Sequence, residues 1–262
     1  MQKAPDDALP LERPSSGSPR INAQESAARY AFAAGAVRTL RVLDVASGTG
    51  LGSEFLLAQG ARFVVGVEPA AEALSQARIR SAPLGPYFVR ADARALPFVD
   101  ASFDAVVSFE TIEHLNDARG LLAECRRILR QGGCLYLSTP NRTVSRWLPP
   151  NPFHLREFTD AEIEELVGRY FEGVTRFWQR PVFLPAFVLR QLGRRWLAAV
   201  SGGRGLWRAW ERARPRRIRM GATVWQGLRF DDSLLGDRHY HVAPARRIPW
   251  GRPRYTILVA KR

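Results

Sequence analysis

The sequence predicts an α/β fold: a mostly parallel sheet with helices on both faces. Three observations predict it. Over the first two-thirds of the chain, apolar strand-like runs alternate with amphipathic helical stretches. The first such strand runs directly into a glycine-rich loop and then a helix. The chain has 262 residues, 46% of them hydrophobic, which is enough to build a full core.

The elements follow in order. Asn22 to Val37 reads as a helix, and Arg41 to Ala46 (RVLDVA) as a buried strand. A glycine loop leads to a helix from Leu51 to Gln59. Arg62 to Val67 (RFVVGV) is a second strand, and Pro69 to Arg80 a helix that starts on proline, where proline is tolerated. Tyr87 to Ala91 and Phe103 to Phe109 are the third and fourth strands. Asp117 to Leu129 is a helix closed by Gly132 and Gly133. Cys134 to Thr139 is a fifth strand. Thr159 to Tyr170 is a helix whose Thr and Glu162 form a capping box. The final run, Tyr255 to Ala260, is again a strand.

Charge divides the chain unevenly. Residues 1–175 hold 19 basic and 21 acidic residues, whereas residues 176–262 hold 20 basic and 4 acidic ones. The net charge of +14 therefore belongs to the last third. Residues 1–20 are rich in polar residues and proline and read as a disordered tail. That start has no apolar stretch of the kind a secretory signal needs, and no apolar run reaches membrane-spanning length. Cys125 and Cys134 offer neither a disulfide framework nor metal-ligand spacing. A cytoplasmic location is the expectation.

The loop after the first strand reads VLDVASGTGLG, with Gly48, Gly50 and Gly52. Glycine permits a sharp turn and a close ligand approach. Dinucleotide-binding loops share this feature. Asp44 before the loop disfavours a pyrophosphate and favours a cationic amino-acid ligand. Glu68 ends the second strand, where a carboxylate accepts from ribose hydroxyls. Asp92 follows the third strand and is placed to accept from an adenine amino group.

These residues resemble those of the class I S-adenosylmethionine-dependent methyltransferases. The matching segments are DVASGTG at 44–50, Glu68, ADARALPF at 91–98, ASFDAVVSFETIEHL at 101–115 and LRQGGCLYLSTPN at 129–141, in the same order and spacing. The resemblance implies a Rossmann-like seven-stranded sheet with its last strand antiparallel. It also implies S-adenosyl-L-methionine as cofactor. Asp44, Ala46, Gly48 and Gly50 would surround the methionine part, Glu68 and Pro69 the ribose, and Asp92 and Ala93 the adenine, with Phe109 completing the pocket. The organisation it suggests is a core at 21–180, a basic helical insertion or lid at 181–250, and a final core strand at 251–262.

Glu110, Glu113 and His114 form E-x-x-E-H after the fourth strand. On a helical turn such spacing shares one face, and two carboxylates with an imidazole can hold a divalent cation such as Mg or Zn. His154, in NPFHLREF after the fifth strand, is a candidate fourth ligand. The pattern is similar to that of ubiquinone-biosynthesis O-methyltransferases and of small-RNA 2′-O-methyltransferases. Leu115 stands where the RNA branch has a second histidine. Without a metal, His154 or His114 is the expected general base.

The basic segment contains two helix-like pieces, Ala186 to Val200 and Gly205 to Ala213, that mix Arg with Trp and Leu. Three roles suit them: a packed lid, peripheral contact with an anionic membrane through 186–213, at the inner membrane face, or phosphate binding. The expected activity is O-methylation of a hydroxyl on a sugar, glycolipid or small metabolite. RNA methylation through the C-terminal arginines, or cofactor binding without catalysis, are the alternatives. The sequence does not specify an oligomeric state.

Overall fold

The computed structural model describes residues 19–81, 85–200, 242–245 and 251–262. Helix α1 (Pro19–Ala34) precedes strand β1 (Arg41–Val45), α2 (Leu51–Ala58), β2 (Phe63–Val67), α3 (Ala71–Arg80) and β3 (Tyr87–Val89). Then come β4 (Phe103–Phe109), a 3-10 turn (Ile112–His114), α4 (Ala118–Ile128), β5 (Leu129–Pro140), α5 (Arg142–Ser145) and α6 (Asp160–Gly168). The chain ends through β6 (Glu172–Phe183), α7 (Leu184–Val200), β7 (Val242–Pro244) and β8 (Gly251–Lys261).

The strands form one sheet in the order β3-β2-β1-β4-β5-β8-β6-β7. The first five run parallel, β8 lies antiparallel between β5 and β6, and β7 pairs antiparallel with β6. The reversal of order beside β1 opens a crevice at the carboxyl ends of β1 and β4, where ligands bind in such sheets. The antiparallel strands bring the start of β8 and the end of β6 to that same end of the sheet.

Successive residues of a strand face opposite sides. Leu43 and Val45 join Val106, Leu135 and Leu121 of α4 in one apolar layer. Val42 joins Val64, Val107 and Phe55 of α2 in the other, together with Tyr30 of α1. Burial on both faces explains why these strands read as continuous apolar runs. Asp44 shares the face of Val42, so it points under α1 and α2, not into solvent.

The α/β architecture, the antiparallel last strand and the capping box of α6 agree with the sequence reading. Four details differ. Among the described residues the sheet has eight strands rather than seven, because β7 adds a short strand within the basic segment. That segment is therefore not purely helical, and β6 carries the core sheet to Phe183. Helix α4 ends where Leu129 turns to extended backbone, and Gly132 lies inside β5. Helix α1 spans Pro19–Ala34, three residues earlier than expected at each end. Most of the predicted tail and the helix-like piece at 205–213 lie outside the described residues.

Candidate active site

The glycine loop rises from the end of β1. Ala46 and Gly48 both adopt left-handed backbone, with φ of 60° and 54°, and Gly50 has a φ of 82°. Only glycine takes this conformation without steric cost. A methyl group on Gly50 would lie 2.6 Å from the Phe88 ring, so its glycine is a packing requirement as well. A methyl group on Gly48 would meet nothing within 4 Å, so the loop borders open space there.

Glu68 stands just past the end of β2, with Pro69 following, and faces the loop. Its Oε2 accepts the Gly48 N–H at 3.0 Å, and its Oε1 accepts the Ala70 N–H at 3.0 Å. Burial raises its pKa, and these two donors oppose the rise. Each oxygen keeps a lone pair for a ligand hydroxyl. The Ser47 hydroxyl is buried without a hydrogen-bond partner.

Asp44 is fully buried below the loop. Its Oδ1 accepts from the Tyr30 hydroxyl at 2.9 Å and its Oδ2 from the Ser53 hydroxyl at 2.6 Å. Burial lifts its pKa to about 7 against the pull of both donors. The expectation of a carboxylate facing the ligand directly thus gives way to one that braces the loop from beneath. Phe109 closes the end of β4 and meets Tyr30 edge-on, 5.1 Å between ring centroids.

Ala93 is buried beside β3. Asp92 is held by Arg94, whose guanidinium donates to both of its oxygens at 2.6 to 3.2 Å. That pairing lowers its pKa.

The E-x-x-E-H segment does not form one helical face. Glu110 takes a φ of 53°, and the short 3-10 turn starts two residues later. Its carboxylate accepts instead from the Ser138 hydroxyl of β5 at 2.7 Å. The predicted four-residue ligand set is corrected accordingly: Glu113, His114 and His154 come together, with one ligand atom from each lying within 4.8 Å of the others, and Glu110 is outside the group.

The backbone explains the convergence. The Leu155 and Arg156 N–H groups both donate to the Glu113 carbonyl, at 2.8 and 3.1 Å, so the 154 loop is fastened to the 3-10 turn. The His114 and His154 rings lie 5.0 Å apart, edge to face. Nδ1 of His114 meets the Phe153 carbonyl at 2.9 Å, and Nδ1 of His154 meets Glu157 Oε1 at 2.6 Å. Both acceptors require the proton on Nδ1, which leaves the lone pair on Nε2. Glu113 is fully buried, and burial, with the Glu110 charge second, raises its pKa well above the usual range. Its Oε2 accepts from Thr139, while Oε1 has no hydrogen-bond partner.

Glu157 is a site residue that sequence reasoning missed. It holds His154 on one oxygen and Ser145 on the other. Its only sequence signal is its spacing of three from His154.

An α/β sheet with its crevice at the glycine loop, a carboxylate at the end of β2 and polar groups past β4 defines a Rossmann-like ligand-binding domain. Residues 43–137 match the family model described as a methyltransferase domain. A probable S-adenosylmethionine-dependent methyltransferase of Mycolicibacterium smegmatis is 40% identical over 134 residues, covering 48% of this chain and 49% of the relative. A ubiquinone biosynthesis O-methyltransferase of Xanthomonas axonopodis is 35% identical over 137 residues, covering 45% and 56%. The chain spans about half the length of these curated relatives. Among solved structures, an S-adenosylmethionine-dependent methyltransferase of Mesorhizobium loti has the same fold, with a TM-score of 0.53, 18% identity and coverage of 91% of this chain and all of the other. A [4+2]-cyclase also shares the fold, with a TM-score of 0.54, 18% identity and coverage of 91% and 81%. Fold alone therefore does not fix the reaction.

Proposed function

We propose that the protein is an S-adenosylmethionine-dependent methyltransferase acting on a hydroxyl of a small molecule, sugar or glycolipid. The observation that carries this reading is the pairing of two features across the β1–β4 crevice. One is the open glycine loop with Glu68 beside it. The other is the Glu113–His114–His154 group past β4.

The residues fit the cofactor. Open space at Gly48 and the unpartnered Ser47 hydroxyl suit a ligand lying over the loop. In this reading Ala46, Gly48 and Gly50 line the methionine part, and Glu68 and Pro69 hold the ribose. Ala93 and Asp92 flank the adenine, Asp92 once Arg94 yields, and Phe109 walls the crevice. Asp44 supports the loop without touching the ligand. S-adenosylmethionine supplies an electrophilic methyl group on a sulfonium.

The protein aligns the acceptor and removes its proton. Without a metal, His154 is the base, because its Nδ1 is held by Glu157 and its lone pair lies on Nε2. Glu157 is a positioning residue that stabilises the imidazolium as it forms. His114 is the second candidate.

The same group suits a divalent cation such as Zn or Mg. Two imidazoles and one carboxylate match the donors zinc prefers. The buried, unpartnered Oε1 of Glu113 gains a partner on binding. The metal would lower the pKa of an acceptor hydroxyl bound to it.

O-methylation is supported by the names of the ubiquinone biosynthesis relatives. Peripheral membrane contact belongs to the proposal for α7, where Leu189 and Leu192 are 70% and 45% exposed beside Arg190. No helix of the described residues is long and apolar enough to cross a membrane.

Transfer of labelled methyl groups into fractionated cell extract tests the reading. Label on a hydroxyl of a small molecule or glycan is the expected result. Label confined to RNA favours the RNA alternative, and no label in any fraction favours a non-catalytic binding protein.

A further inference from the structure

Asp44 lies under the glycine loop with no cation beside it. The carboxyl is fully buried, and the flanking strands set Gly66 and Val107 in register with it, neither of which can answer a charge. Its two hydrogen-bond donors, the Tyr30 and Ser53 hydroxyls, are neutral. Among the described residues no cationic side chain pairs with it.

The titratable and charged groups on the surrounding elements are these. Helix α1 supplies Tyr30, whose hydroxyl also feels Arg29. The Arg29 guanidinium itself turns to Gln179 and to the Tyr255 ring. Helix α2 supplies Ser53, while its Glu54 turns to Ser81 at the end of α3. Past β4, Glu110 turns to Ser138. Past β2 stands Glu68, a second carboxylate, whose charge opposes ionisation of Asp44.

A buried carboxylate in such surroundings is unfavourable as an anion. Two things offset this: a proton on the carboxyl, or a cation above it. The loop over Asp44 borders open space at Gly48. In the methyl-donor reading that space takes S-adenosylmethionine, whose sulfonium is a fixed cation. S-adenosylhomocysteine, the product, has a neutral thioether in its place. A charge beneath the loop can tell the two apart without touching either.

We propose that Asp44 is a specificity-determining residue: its ionised form favours the methyl donor over the product, and donor binding releases its proton to solvent. Methyl transfer removes the sulfonium charge, and the carboxyl takes a proton back from solvent. The preference for the bound ligand is then lost, which favours release of the product. The acceptor's own proton leaves separately, on the acceptor side of the crevice. The inference rests on the methyl-donor reading. The pKa of Asp44, lifted by burial to about 7, sets the exchange in the neutral range.

Calorimetric titration of the full chain with S-adenosylmethionine, and separately with S-adenosylhomocysteine, tests this in the absence of any acceptor. Titrations in buffers of different ionisation enthalpy count the protons exchanged. At pH 7 the donor is expected to release about half a proton, and the product none. The ratio of product to donor dissociation constants is expected to rise about fivefold from pH 5.5 to pH 7.5. Asp44→Asn is expected to remove both effects. If that variant lacks a cooperative thermal transition, Ser53→Ala serves instead. It removes a donor that holds the pKa of Asp44 down, so the pH of greatest proton release should move up. Equal proton release by both ligands, a preference that does not change with pH, or proton release that persists in folded Asp44→Asn overturns the proposal. Product binding in any of these cases leaves the methyl-donor reading standing. A folded native protein that binds neither ligand overturns that reading and this inference with it.

Discussion

The Tyr30 hydroxyl donates a 2.9 Å hydrogen bond to Oδ1 of Asp44, tying the first helix to the floor of the glycine loop. The tie is close on all sides. A methyl group on Gly52 would lie 1.9 Å from the Tyr30 ring, so the ring occupies space that only a glycine leaves open. Helix α1 thereby becomes part of the support of the glycine loop rather than a peripheral element.

Tyr30→Phe removes this donor and leaves a fully buried carboxylate oxygen without it. The expected loss is about 1–3 kcal/mol of stability, with weaker S-adenosylhomocysteine binding alongside. Urea unfolding and calorimetry measure the two. An unchanged midpoint and an unchanged affinity together would mean that Tyr30 packs there without bracing the loop.

Asp44 predicts a pH dependence. Burial lifts its pKa to about 7 in the folded chain, from an ordinary value near 3.8. A raised folded pKa means that the native state binds the extra proton. Its stabilising contribution is full below pH 3.8 and is lost as pH rises to about 7. The lost contribution approaches about 4 kcal/mol as an upper bound. Asp44→Asn carries no such proton, so its stability relative to the native protein should improve from pH 4.5 to pH 7.5. A difference between the two that does not vary across this range would contradict the burial argument.

How much of this was legible in the sequence depends on how local each signal is. The glycine loop and the capping box of Thr159 and Glu162 are set by residues a few positions apart, and Glu68, 20 positions after Gly48, is marked by the end of a legible strand. The brace on Asp44 was not legible, because its partner Tyr30 comes from a helix whose sequence gives no sign of what it covers. Strand β6 has no strict apolar alternation and pairs with β8, whose residues lie 68 to 89 positions later in the chain. Glu110 looked like a partner of Glu113 because helical spacing was assumed. The backbone at Glu110 turns left-handed and sends the carboxylate to Ser138.

Removing metal tests the Glu113–His114–His154 group. Excess chelator should lower methyl transfer, and added Zn or Mg should restore it. Glu113→Ala should reproduce the loss and abolish rescue, with a cost on the order of 10-fold or more. Calorimetric titration of zinc into the native protein gives a second readout that does not depend on turnover. Full activity in excess chelator would remove the metal and leave His154 as the base.

Calorimetric titration with S-adenosylhomocysteine tests the central claim most directly. Stoichiometric binding is expected, weakened about tenfold or more by Glu68→Ala through loss of the carboxylate beside Gly48. A folded native protein that gives no heat, or a Glu68→Ala variant that binds as tightly as the native chain, would contradict it.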